Sequence, residues 1–193
     1  MFERVTLRTA RVPAAEAFYR TVLPGLERLW IVEGSPPSAR LHLGFSAPAR
    51  ADVDEFWRIG TAAGYRSDGE PGPRPQYGPD YYGAFLLDPD GNSAEAMHNR
   101  FERGRAEIDH LWIRVSDLGA SRAFYEAVGS SASFAPAWTH EDPPRIGFQG
   151  DGPGSFSLVV DGEPTTGARI AFAGARARDF AFDPDGNEVG VVA

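Results

Sequence analysis

Asp88-Pro89-Asp90-Gly91-Asn92 recurs as Asp183-Pro184-Asp185-Gly186-Asn187, and a chain that spells one turn twice is constrained to fold as related units. Each copy follows an apolar run, Ala84-Phe85-Leu86-Leu87 or Phe180-Ala181-Phe182, and precedes a short strand ending in Ala96-Met97 or Val191-Val192. Proline presets φ, glycine accepts positive φ, and aspartate bonds back to the turn backbone, so each copy is predicted to be a hairpin. Phe18-Tyr19 is likewise repeated as Phe124-Tyr125, and Leu43-Gly44-Phe45 as Ile170-Ala171-Phe172.

The landmarks recur at unequal offsets. The second half carries extra residues between its first two landmarks and lacks a segment corresponding to Pro48–Pro79. Four units result. Met1–Arg40 and Thr166–Ala193 are truncated, whereas Leu41–His98 and Glu107–Val160 are complete. The expected domains are an N-terminal half of residues 1–98, a polar linker at 99–106 and a C-terminal half of residues 107–193.

Alternation predicts strands at Arg4–Arg8, Leu41–Phe45 and Ile108–Val115, and helices are predicted over Val12–Leu23, Pro48–Ala63 and Leu118–Val128. The Gly- and Pro-rich stretch Arg66–Pro79 reads as a loop over a pocket, with Tyr77, Tyr81 and Tyr82 at its end. The fold class is α+β, built from tandem strand–helix–strand units.

The chain has no cysteine, which excludes disulfides, thiolate metal sites and a cysteine nucleophile. No apolar run is long enough to span a membrane and the N-terminus does not read as a secretory signal, so a cytoplasmic protein without a membrane partner is expected. The net charge of −8 argues against nonspecific nucleic-acid binding and mildly favours cationic ligands.

The chain resembles the vicinal oxygen chelate superfamily, which includes glyoxalase I, extradiol dioxygenases and bleomycin-resistance proteins. The resemblance lies in Asp109-His110-Leu111-Trp112-Ile113-Arg114-Val115 with Phe124-Tyr125, in Leu41-His42-Leu43-Gly44-Phe45, and in Tyr81-Tyr82-Gly83-Ala84-Phe85 leading to Asp88-Pro89-Asp90-Gly91-Asn92 and Glu95. It implies paired βαβββ units, two of the four truncated here, forming cups. First-strand ligand positions fall on Arg4, His42, His110 and Arg169. Last-strand positions fall on Glu95 and Gly190. Only the complete units therefore keep ligand-type residues: His42, Glu95 and His110.

Strand alternation supports this facing. His42 shares a face with Gly44, His110 with Trp112 and Arg114, and Glu95 with Ser93 and Met97, each opposite an apolar face. Two histidines and one carboxylate are the minimum facial set for a first-row divalent metal. The three are expected to converge across the halves, with Glu95 doubling as a base. Substrate would meet Arg4, Tyr81, Trp112, Arg114 and Arg169, the two truncated-unit arginines facing each other across a second cup. His98 and His140 read as solvated, and the turn aspartates as turn formers.

Three functions fit this pattern. The first is a lyase, isomerase or dioxygenase holding Fe, Mn, Ni, Zn or Co and acting on a small oxygenated molecule. The second is a metal-free binding protein of the bleomycin-resistance type. The third is a cofactorless isomerase or cyclase. Each takes a small-molecule partner, and a homodimer is compatible with all three.

Overall fold

The computed structural model describes residues 1–99, 104 and 106–193; residues 100–103 and 105 of the expected linker lie outside them. The first unit runs β1 (Phe2–Thr9), α1 (Val12–Val22) and β2 (Leu29–Glu33). The second runs β3 (His42–Ser46), α2 (Arg50–Ala62), β4 (Arg66–Pro73), β5 (Tyr82–Leu87) and β6 (Ser93–His98). The third comprises β7 (Ile108–Arg114), α3 (Leu118–Ala132), β8 (Phe134–Glu141), β9 (Pro144–Gly150) and β10 (Ser155–Val159). The fourth has three strands: β11 (Arg169–Ala173), β12 (Arg178–Phe182) and β13 (Glu188–Val192).

These strands make two sheets, and each sheet draws on both halves of the chain. The complete units join through the antiparallel pair β3–β7, giving the eight-stranded order β4-β5-β6-β3-β7-β10-β9-β8. The truncated units join through antiparallel β1–β11, giving the five-stranded order β12-β13-β11-β1-β2. One face of each sheet is apolar. Leu41, Leu43, Phe45, Leu111, Ile113, Phe156 and Leu158 are fully or almost fully buried in the larger sheet, as are Val5, Ile170 and Phe172 in the smaller. Phe172 joins the two, its ring 5.3 Å from Phe156 and 4.7 Å from Phe134. Burying each such side chain stabilises by roughly 1.5–3 kcal/mol, so the pair of sheets shares one core.

Both repeated turns use the same hydrogen bonds. Asp88 accepts from the backbone of Asp90 and Asn92 and from the hydroxyl of Tyr19, which is on α1. Asp183 accepts from Asp185, Asn187 and Tyr125 of α3 in the same way. Gly91 and Gly186 sit at φ 87° and 85°, a conformation that only glycine adopts cheaply. Thus a helix of one unit is tied to the turn of the next.

Two predicted elements differ. Most of the expected loop Arg66–Pro79 is the edge strand β4, paired only with β5 and broken by bulges between Ser67 and Gly69 and between Gly69 and Gly72. Pro71 and Pro73 are tolerated there because an edge strand has one unpaired side. Helix α3 continues past Gly129 to Ala132, ending at Ser133 in the left-handed conformation. At Gly129 a Cβ would lie 2.3 Å from the carbonyl of Phe134, so this glycine lets the helix pack closely against the start of β8.

Candidate metal centre

The parallel pairing of β3 with β6 sets Glu95 opposite Gly44, and the antiparallel pairing of β3 with β7 sets His110 opposite the same glycine. Gly44 carries no side chain between them. A Cβ there would stand 2.1 Å from Cε1 of His110, so the ring can occupy its position only over glycine. Gly83 does the same for Glu95, whose Oε1 would lie 2.5 Å from an added Cβ.

Three ligand atoms meet in this space. Nε2 of His42 is 3.0 Å from Oε2 of Glu95 and 3.2 Å from Nε2 of His110, and His110 Nε2 is 3.2 Å from Glu95 Oε2. All three residues are buried. Ligands at right angles about a common centre roughly 2.1 Å away lie about 3.0 Å apart, so this triangle fits a first-row divalent ion. Among the described residues, it is the one cluster of His, Asp and Glu side chains close enough to hold such an ion.

The second oxygens and nitrogens are also held. Asp109 Oδ2 lies 3.0 Å from Nδ1 of His110, so Nδ1 donates there and Nε2 faces the cluster. The Tyr81 hydroxyl donates to Glu95 Oε1 at 2.9 Å. Burial lowers the pKa of His42. Burial also opposes charge on Glu95 and His110, but their hydrogen bonds prevail. His110, bonded to Asp109 and Glu95, is held at about 10, and Glu95, bonded to His110 and His42, at about 2. Without a cation the cluster is thus a hydrogen-bonded ion pair, and a metal would replace the shared protons.

The cluster forms the floor of a cavity of about 730 Å³. Of the sequence-predicted substrate contacts, Tyr81, Trp112 and Arg114 line it. Arg4 and Arg169 are on the five-stranded sheet and do not. Arg4 stacks over Trp30 at 4.0 Å, and Arg169 over Phe180 at 3.9 Å with Glu188 3.4 Å from its Nε. Arg114 is tied to the backbone carbonyls of Arg40 and Asp161. His140, read as solvated, is at the cavity rim.

Sequence reasoning missed several residues here. Asp109 follows the same alternation as the core positions but is turned to the His110 ring. Ser157 is the register counterpart of Glu95: His42 pairs with Ser93 two residues before Glu95, and His110 pairs with Ser155 two residues before Ser157. Gly190 occupies the corresponding place on the other sheet. Matching the last strands within each complete unit would have found Ser157. Arg145 and Trp138 come from strands that no motif marks, yet they line the cavity, as does Tyr77, which the sequence placed over a pocket.

No family model and no curated protein matches this sequence. Solved structures do. Glyoxalase I from Zea mays superposes with a TM-score of 0.67 at 14% identity, over 99% of this chain and 91% of that one. A variant of that enzyme in another crystal form gives 0.64 over the same share of this chain. A glyoxalase/bleomycin resistance protein from Albidiferax ferrireducens aligns at 24% identity with 49% of this chain and 94% of its own, with a TM-score of 0.41. At these identities the likeness is one of fold.

Proposed function

The chain has the fold of the vicinal oxygen chelate superfamily, and from that premise we propose that it is a metal-dependent enzyme of the glyoxalase–dioxygenase type, acting on a small oxygenated molecule. The observation that carries this reading is the convergence of His42, Glu95 and His110 at 3.0–3.2 Å beneath an aromatic cavity. These three residues would hold the ion. A divalent ion supplies Lewis acidity toward a chelated substrate oxygen, and in the case of iron a place for O₂ beside the substrate.

The chain's own residues do the rest. Asp109 keeps a proton on Nδ1 of His110 and fixes the ring. Tyr81 holds its proton toward Glu95 Oε1, so Glu95 is oriented and remains the site's candidate base. Ser157 places a hydroxyl where symmetry of the cup would allow a second carboxylate. The site therefore has one carboxylate in a ligand position and leaves the opposite side open for substrate. That favours oxygenation or lyase chemistry over a proton transfer shared by two carboxylates. Trp112 and Tyr77, edge to face at 5.8 Å, wall this side.

The experiment is reconstitution. Metal-free protein loaded in turn with Fe(II), Mn, Ni, Zn and Co is assayed against catechols and α-hydroxycarbonyl compounds, following O₂ uptake and product. Turnover with one metal and none without it supports the reading. Full turnover after exhaustive chelation supports instead the cofactorless isomerase or cyclase, a reading favoured by the fact that His42, Glu95 and His110 already satisfy one another through hydrogen bonds. Ligand binding without turnover under every condition supports the binding protein.

A further inference from the structure

Building on the reading of this cavity as a substrate site, we propose that it takes a planar aromatic ligand bearing a carboxylate, and that Arg145 binds that carboxylate. Among the described residues three arginines line the cavity, and their partners differ. Arg74 donates to the carbonyls of Glu70 at 2.7 Å and Pro73 at 3.2 Å. Arg114 donates to those of Arg40 at 3.0 Å and Asp161 at 3.1 Å and approaches the Asp161 carboxylate at 3.9 Å. Among the described residues Arg145 has no such acceptor. Its Nε is buried without a hydrogen-bond partner, and no carboxylate among the described residues pairs with it.

The backbone fixes where this cation points. Along β9, Ile146 and Phe148 are buried in the core, so Arg145 and Gly147 face the cup. The guanidinium lies 4.8 Å from the centre of the Trp112 ring. A cation–π contact takes up no N–H as a hydrogen-bond donor, so the terminal N–H groups stay available to a ligand. Those donors form a fork that fits a carboxylate in bidentate fashion.

Trp112 also gives the ligand its shape. Its ring centre lies 5.7 Å from that of His42 and 4.8 Å from the guanidinium carbon of Arg145. A single aromatic ring lying along the indole thus reaches both the His–Glu–His cluster and the arginine. The chain's net charge of −8 works against anion capture at long range, so preference for a carboxylate must come from this local contact. A ligand of this class is opposite in charge to the cationic compounds that composition alone favours.

The test uses two probes of nearly equal shape, para-hydroxybenzoate and its neutral amide, with affinities read by calorimetry and by quenching of tryptophan fluorescence. The full chain is used both metal-free and zinc-loaded. The carboxylate should bind at least about tenfold more tightly than the amide. Arg145→Met should abolish that ratio while leaving the amide's affinity within about twofold. Arg145→Lys should keep part of it, and Arg122→Met should leave it intact, since the Arg122 guanidinium pairs with Glu126 on α3 away from the cavity. Equal binding of the probes by the unaltered protein, a ratio that persists in Arg145→Met, or no binding of either probe would overturn the proposal. Arg145→Gln, checked for an unchanged melting temperature, guards against a folding defect in the methionine variant. Failure here leaves metal content untouched, whereas failure of the metal reading leaves the carboxylate-to-amide ratio standing.

Discussion

The two sheets carry the same framework with different side chains. The register that places His42 opposite Trp112 and Gly44 opposite His110 in the larger sheet places Arg169 opposite Thr6 and Ala171 opposite Arg4 in the smaller. Where the first has Glu95, the second has Gly190; where the first has Ser157, the second has Trp30. Each change removes a requirement of the site. The ligand side chains are lost, the glycine that makes room for the second ring becomes alanine, and Arg4 stacks on the tryptophan that occupies the serine's place. The truncated units also lack strands equivalent to β4, β8 and β9, which form the walls of the cavity. One duplicated scaffold thus keeps a site in its complete pair of units and only core packing in its truncated pair.

The sharpest way to break this comparison is to exchange the small residues. Gly44→Ala should displace His110 and cut the metal retained after dialysis to below roughly a tenth, because a Cβ 2.1 Å from the His110 ring can be accommodated only by moving that ring off the cluster. Ala171→Gly, at the matching position of the other sheet, should leave metal content unchanged and cost only about 1 kcal/mol in denaturant unfolding. Next in size are the groups behind the ligands. Asp109→Asn and Tyr81→Phe should each weaken metal affinity by roughly 10–100-fold in competition with a chromophoric chelator.

A smaller effect tests what the two regions share. Tyr19→Phe and Tyr125→Phe each remove one buried hydrogen bond to a turn aspartate. Both should destabilise by roughly 1–3 kcal/mol, and by similar amounts, in urea unfolding. A large asymmetry would show that the repeated turn is not equally important in the two places. The smallest effect is expected of Arg4→Ala and Arg169→Ala, which should leave metal content and ligand affinity unchanged in the same assays, since neither residue reaches the cavity.

The repeat made the fold legible. Asp-Pro-Asp-Gly turns, alternating strands and two Phe-Tyr helices specify the units, because turn chemistry and period-two burial are local properties of the chain. The facing of His42, Glu95 and His110 was legible for the same reason. The partnership of Arg145 with Trp112 was not, since it depends on how β9 and β7 sit across β10, a relation that no local pattern encodes. The extent of β4 was hidden because proline and glycine on an edge strand look like loop residues. Arg4 and Arg169 were placed correctly on their strands, but which sheet those strands joined was decided by long-range pairing.

The central claim is that one metal site is assembled from the two halves of the chain. Metal content of protein purified without an affinity tag, reloaded with one divalent ion and dialysed, tests it directly by plasma emission. About one ion per chain is expected for the unaltered protein, with loss of that ion in each of His42→Ala, Glu95→Ala and His110→Ala. A His110→Ala protein that retains its full ion, or an unaltered protein that holds none, would contradict it.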